Sequence, residues 1–241
     1  MTESAKTWVY RHTLNARICH WIMVVSFMYL LYSGIMIFLH FPELYWGKVG
    51  FQGYPAIFKL EDWGISWEEA ELLGDRRWGR NYHYMFSWVF VINGLVYLLW
   101  NCWQKKFYRK MLPSRRELSW NNLKSEFVRH LRFPILRVKG LSGYNVLQKL
   151  SYLIVLFLLF PFMLASGFAQ MPAFTAISPE LIDLFGGRQT ARTLHVICSI
   201  LLMLFVVIHL VEMVLAGVFN QIRSMIFGTY EISLEKPEAT E

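Results

Sequence analysis

Four of the chain's seven histidines, His20, His83, His195 and His209, stand in long apolar runs, where an ionisable side chain is costly to place. An isolated membrane histidine is commonly a hydrogen-bonded packing residue, so the spacing matters more than the count. His195 and His209 are 14 residues apart in one run. On a helix that is about 21 Å of rise and nearly four full turns, so both project from nearly one face at two depths. His20 opens the first run and His83 opens the second. Depth therefore pairs His20 with His209 and His83 with His195. Two bis-histidine sites stacked in a four-helix bundle would hold two haems through neutral imidazoles, with the irons roughly 20 Å apart. Such an arrangement is a wire across a bilayer.

Smaller features surround these ligands. Arg17, Arg80 and Arg192 each stand three residues before a histidine, one turn away, where a guanidinium fork suits a haem propionate. Arginines also flank membrane helices simply by snorkelling. Gly34 follows His20 by 14 residues and Gly94 follows His83 by 11, near the ligand face at the level of the other haem, where a missing side chain would admit a porphyrin. Glu212 is the one acid in a membrane run, three residues after His209. It reads either as a proton relay to a quinone or as a hydrated interfacial carboxylate. His12, His40 and His130 lie outside the runs or at their edge, and His40 is the substitute should His83 not be a ligand. Cys19, Cys102 and Cys198 are isolated. Without Cys-x-x-Cys-His there is no covalent haem attachment, and no iron–sulfur spacing occurs. No Gly-x-Gly-x-x-Gly or phosphate loop points to nicotinamide or flavin.

The elements that must position these side chains follow from composition. Of 241 residues, 55% are apolar and 17% charged, yet the net charge is +7. A nucleic-acid-binding chain would spread its Lys and Arg over a polar surface; here they are concentrated. The apolar cores, about 18–39, 82–103, 150–169 and 194–217, each approach the roughly 20 residues a helix needs to cross a bilayer. Trp21, Trp88, Trp100, Trp103 and Tyr152 sit toward their ends, as interfacial aromatics do. The fold class is all-α, a four-helix integral membrane bundle forming one domain over 1–241.

Loop charge sets the orientation. Lys105–Lys149 carries twelve Lys/Arg against two acids, whereas His40–Arg80 carries five against seven. The positive-inside rule puts the basic loop (104–149) and both termini in the cytoplasm, and loops 40–81 and 170–192 outside. A binding role for anionic lipid or a partner is the alternative reading of the basic loop. The first run lacks a small-residue cleavage site and reads as a retained helix, not a signal peptide. No long repeat is evident. The outward loop, rich in glycine and tryptophan, reads as a folded cap or docking surface. Ser66 with Glu69 forms a capping box opening a short helix to Leu73, and Ser178–Phe185 reads as another short helix.

His20-Trp21, Gly-Arg-Asn-Tyr-His (Gly79–His83), Gly-Gly-Arg-Gln-Thr-Ala-Arg-Thr-Leu-His (Gly186–His195) and His209 together resemble the bacterial cytochrome b-561 and nickel–iron hydrogenase b-type cytochrome family over roughly Arg11 to Gly228. That family includes membrane subunits of formate dehydrogenase and thiosulfate reductase. The Phe41–Gly47 segment looks most like the thiosulfate-reductase type. The resemblance implies two haems b, His20 and His209 on the inner and His83 and His195 on the outer, quinone chemistry near the inner haem, and an outward redox partner such as a molybdopterin oxidoreductase. The expected function is a subunit passing electrons between the quinone pool and that partner in a bacterial inner membrane. Its alternatives are a standalone superoxide:quinone oxidoreductase and a haem-free, histidine-lined metal or proton transporter.

Overall fold

The computed structural model describes residues 5–104, 112–131 and 145–234; much of the basic loop, at 105–111 and 132–144, lies outside the described residues. A strand β1 (Ala5–Tyr10) leads into α1 (Leu14–His40). Short strands β2 (Glu43–Leu44) and β3 (Phe58–Lys59) precede α2 (Trp67–Leu73) and α3 (Arg76–Trp103). Next come α4 (Trp120–Leu131) and α5 (Val146–Phe168), the latter interrupted by a π turn at Val155–Leu159. Short α6 (Pro172–Ile177) and α7 (Glu180–Leu184) lead into α8 (Arg188–Leu215), followed by α9 (Val218–Phe227) and β4 (Thr229–Leu234).

Helices α1, α3, α5 and α8 are long and apolar enough to cross a membrane. The shortest, α5, has 23 residues, about 35 Å of rise against a hydrocarbon core of about 30 Å. Their burial pattern is inverted relative to a water-soluble bundle. Exposed side chains such as Met28, Leu99, Leu158 and Leu204 are large and apolar, whereas Ser26, Ser33, Asn93, Ser166 and Thr193 are buried. Small and polar residues inside with apolar residues outside is the packing that lipid, not water, selects. The chain is a multi-pass membrane protein. Helices α3 and α8 start earlier than the apolar runs, at Arg76 and Arg188. Helical hydrogen bonding continues past the hydrocarbon edge, where arginine heads reach water while their stems stay against the helix.

The fold divides into two compact units. The first comprises residues 1–23, 93–149 and 207–241. In it β1 and β4 pair antiparallel, from Ala5 opposite Leu234 to Tyr10 opposite Thr229, a ribbon absent from the sequence reading. Helix α9 packs on this ribbon: Asn220 exchanges two hydrogen bonds with the Glu231 backbone, and the Arg223 guanidinium sits 3.7 Å from the Trp8 ring centre. Ahead of α4, Ser114 and Glu117 bond each other reciprocally, and Glu117 accepts from Lys149 Nζ at 2.8 Å.

The second unit comprises residues 24–92 and 150–206. Its loop after α1 is folded, as the sequence implied. Both capping-box bonds at Ser66 and Glu69 are present at the start of α2. The loop is anchored to α8 by backbone: the Gly47 carbonyl accepts from the Gln189 and Thr190 amides at 3.0 and 3.2 Å, and Gly47 N donates to Thr190 Oγ1 at 2.7 Å. These amides are orphan donors at the N-terminus of α8, and a carbonyl from a distant loop caps them. Gly187, at φ +131°, has no room for a Cβ because the Gly47 carbonyl fills that place. The Phe41–Gly47 and Gly186–His195 motifs are thus two sides of one contact.

Hydrogen bonds from Lys149 and from the Ser114 backbone hold the Glu117 carboxyl down at about 2, below its ordinary 4.5. A depressed carboxyl stabilises the fold above its unfolded pKa, and that contribution is lost as pH falls toward the folded value. Between about pH 4.5 and 2 the Glu117→Gln variant should therefore lose less stability than the parent, read as thermal unfolding in detergent across that window.

Candidate haem-binding site

In the second unit, His83 on α3 and His195 on α8 face one another with ring centroids 6.2 Å apart and planes 63° to each other. Each ring is held from behind by a serine on a neighbouring helix. Ser33 Oγ on α1 is 3.0 Å from His83 Nδ1, and Ser166 Oγ on α5 is 3.0 Å from His195 Nδ1. Each hydroxyl has one proton, and each directs it at a carbonyl of its own helix: Ser33 to Tyr29 at 2.6 Å, Ser166 to Met163 at 3.0 Å. The serine oxygens can then only accept, so both imidazoles carry their proton on Nδ1. Both rings are thereby fixed as the tautomer whose Nε2 keeps a free lone pair.

Glycines make room for the rings. A Cβ on Gly34 would lie 3.6 Å from His83 Cε1, and one on Gly167 would lie 3.3 Å from His195 Cε1. Gly34 therefore clears space for an imidazole, where the sequence reading expected space for a porphyrin. Gly94, in the first unit, would meet only the end of Met23 at 3.8 Å. Ser33, Ser166 and Gly167 were not among the sequence-derived site residues. Their signal is the Ser-Gly dipeptide inside two apolar runs, Ser33-Gly34 and Ser166-Gly167. Helices α1 and α3 thus repeat as α5 and α8, each pair joining a Ser-Gly to an Arg-x-x-His. The repeat escapes a fixed-period search because serine and histidine are 50 residues apart in one pair and 29 in the other.

Local chain chemistry places Ser166. Pro161 lacks an amide proton and cannot continue a regular helix; the π turn at Val155–Leu159 absorbs it, as bulges near functional sites do. The Cys198 thiol donates to the Leu159 carbonyl at 3.4 Å, so this cysteine is a packing and hydrogen-bonding residue.

The arginines have separate roles. Arg192 donates to the carbonyls of Glu43, at 2.6 Å, and Phe41, and its guanidinium lies over the Phe41 ring. It fastens the loop after α1. Below it, the buried Tyr45 hydroxyl bonds the buried Glu43 carboxylate, and Thr193 donates to the Tyr45 carbonyl at 2.7 Å. Burial first, then the bond to Glu43, pushes the Tyr45 ionisation up. Arg17 caps the end of α9 through Ile226 O at 2.5 Å, while its Nε is buried and without a partner. Arg80 is exposed. His40 lies 3.7 Å from Glu71.

The first unit holds the other two histidines. His20 on α1 and His209 on α8 are within electrostatic range of one another. Trp21, edge-on to the His20 ring, donates to Met225 O at 3.1 Å, and Asn93 on α3 donates to Cys19 O at 2.9 Å. One helix is thus pinned from two sides beside its histidine. Glu212 accepts from Gln148 on α5 at 3.4 Å.

The spacing of His83 and His195 suits haem iron. No group of three or more His, Cys, Asp or Glu able to hold a metal occurs among the described residues. Two imidazoles across one metal, at about 2.0 Å per bond with each ring centre roughly 1.2 Å behind its nitrogen, have centroids about 6.4 Å apart; His83 and His195 lie at 6.2 Å. The glycine contacts make a differential prediction. Gly34→Ala, in ordinary contact, should keep haem near the parental level, whereas Gly167→Ala must displace the His195 ring and should lower haem content, measured as haem b per protein.

Residues 11–228 match the family described as prokaryotic cytochrome b561. A protein of Azospira oryzae named "Putative protein-methionine-sulfoxide reductase subunit YedZ1" is 28% identical over 193 residues, covering 80% of this chain and 84% of that protein. With four membrane-crossing helices and a histidine pair whose spacing fits haem iron, the chain belongs to the prokaryotic cytochrome b561 family of membrane electron-transfer proteins, whose cofactor is b-type haem.

Proposed function

We propose that this cytochrome is a di-haem subunit passing electrons between the quinone pool and an extracytoplasmic oxidoreductase, a molybdopterin enzyme. His83 and His195 ligate one haem b, His20 and His209 the other. The observation that carries the reading is the His83–His195 pair, each ring bonded at Nδ1 by a serine on a different helix. Bound haem supplies reversible one-electron exchange at iron. The chain's own residues do the rest. The imidazoles present unprotonated Nε2, the serines hold the rings, and the apolar helices keep water from the ligands. Arg80 and Arg17 serve the propionates. Glu212, bonded to Gln148, passes protons for a quinone beside the His20–His209 site.

The excess of Lys and Arg in Lys105–Lys149 supports cytoplasmic termini in a bacterial inner membrane, with loops 40–81 and 170–192 outside as the dock. The Azospira oryzae relative's name, a subunit of a reductase, supports a separate redox partner. In this reading the chain forms one functional domain, its basic loop setting topology.

A dithionite-reduced minus oxidised spectrum of the purified protein tests the reading, with a low-spin haem b α-band expected. His209→Ala should lower haem from two to one per chain and leave the His83–His195 haem's spectrum in place. Loss of both haems would contradict independent sites, and a parent protein without haem b would overturn the reading.

A further inference from the structure

Ser33 and Ser166 are fully buried, at 0% exposure, in helices otherwise facing lipid, and they occupy equivalent places on opposite sides of one site. Each accepts the Nδ1 proton of one imidazole while its own proton is held by a carbonyl of its helix. A hydroxyl polarised by a carbonyl is a stronger acceptor than one left free, because hydrogen bonds in a chain reinforce one another. The acceptor draws the Nδ1 proton away and raises the basicity of the ring at Nε2. With the same device on both rings, the two effects act on one iron.

We propose that Ser33 and Ser166 are paired positioning residues that lower the reduction potential of the haem between His83 and His195, each contributing a comparable share; this rests on the haem assignment above. A more basic imidazole favours the more positively charged iron, so the serines stabilise the oxidised form. Hydrogen bonding to an axial ligand is one of the levers by which a protein sets haem potential. Each histidine is carried by a helix other than its serine's, so substitution removes the acceptor oxygen and leaves the ligand's own helix in place.

The test is a spectroelectrochemical titration of both haems in the full-length, haem-loaded protein, its Ser33→Ala and Ser166→Ala variants, and the double variant. Alanine removes one oxygen and suits a helix interior, so haem content should hold at two per chain. Each single variant should shift the His83–His195 haem positively by a few-fold change in the oxidised-to-reduced ratio at fixed poise. The double variant should approach tenfold, 59 mV for a one-electron couple. The second haem should stay at its parental potential. Unchanged potentials, or a shift only in the His20–His209 haem, would overturn the proposal. So would outright loss of the haem from both single variants, which would make the serines assembly contacts. A parent protein with no haem b would instead remove the assignment beneath it.

Discussion

The serine hydroxyl proton sets the order of everything around His83 and His195. Because that proton is directed to a carbonyl of its own helix, the serine oxygen faces its histidine as a pure acceptor. An imidazole bonded to that oxygen carries its proton on Nδ1, leaving the Nε2 lone pair free. The glycines beside the serines let the rings sit close, and the π turn ahead of Ser166 absorbs Pro161. Were the proton free to rotate toward the ring, either tautomer would satisfy the contact and the ligand set would not be specified by the fold.

A membrane bundle has little hydrophobic force to press its helices together, so contacts of this kind also do the packing. Serine, asparagine and threonine are among its buried residues, and bonds of three of them cross between helices: Ser33 to His83, Ser166 to His195, Asn93 to Cys19. Structure and ligand geometry therefore share the same atoms. Arg192 extends this economy outward. Its bonds to Phe41 and Glu43, with the Gly47 carbonyl over the amides of α8, fold a long connector onto the helix that bears His195.

How much of this was legible in the sequence depends on the range of the interaction. The long helices were, because a bilayer penalises charge and the charge-free runs are local. The approach of His83 to His195 was, because an imidazole in such a run stands out by type. The Ser66–Glu69 box was, because its partners are three residues apart. Ser33 and Ser166 were not: serine beside glycine in a membrane helix is ordinary, and the partner lies in another run at an unequal distance. The bonds of Arg192 to the loop were not legible for a related reason, since its acceptors are backbone carbonyls that exist as a site only once the loop has folded. The ribbon of β1 and β4 joins segments at opposite ends of the chain, each of which reads alone as a polar tail.

That ribbon acts as a clasp. Tyr10 and Thr229 close it on the side nearest the helices, the Arg11 amide donates to Gly228, and Arg17 and Trp21 both hold the end of α9. The segment leading into His20 and the segment leaving His209 are consequently one mechanical piece. Neither histidine can swing aside by a tilt of its own helix end without peeling the strands apart. Loosening this end of the first unit means breaking a ladder of six paired residues on each strand, a cooperative unzipping instead of a single side-chain movement.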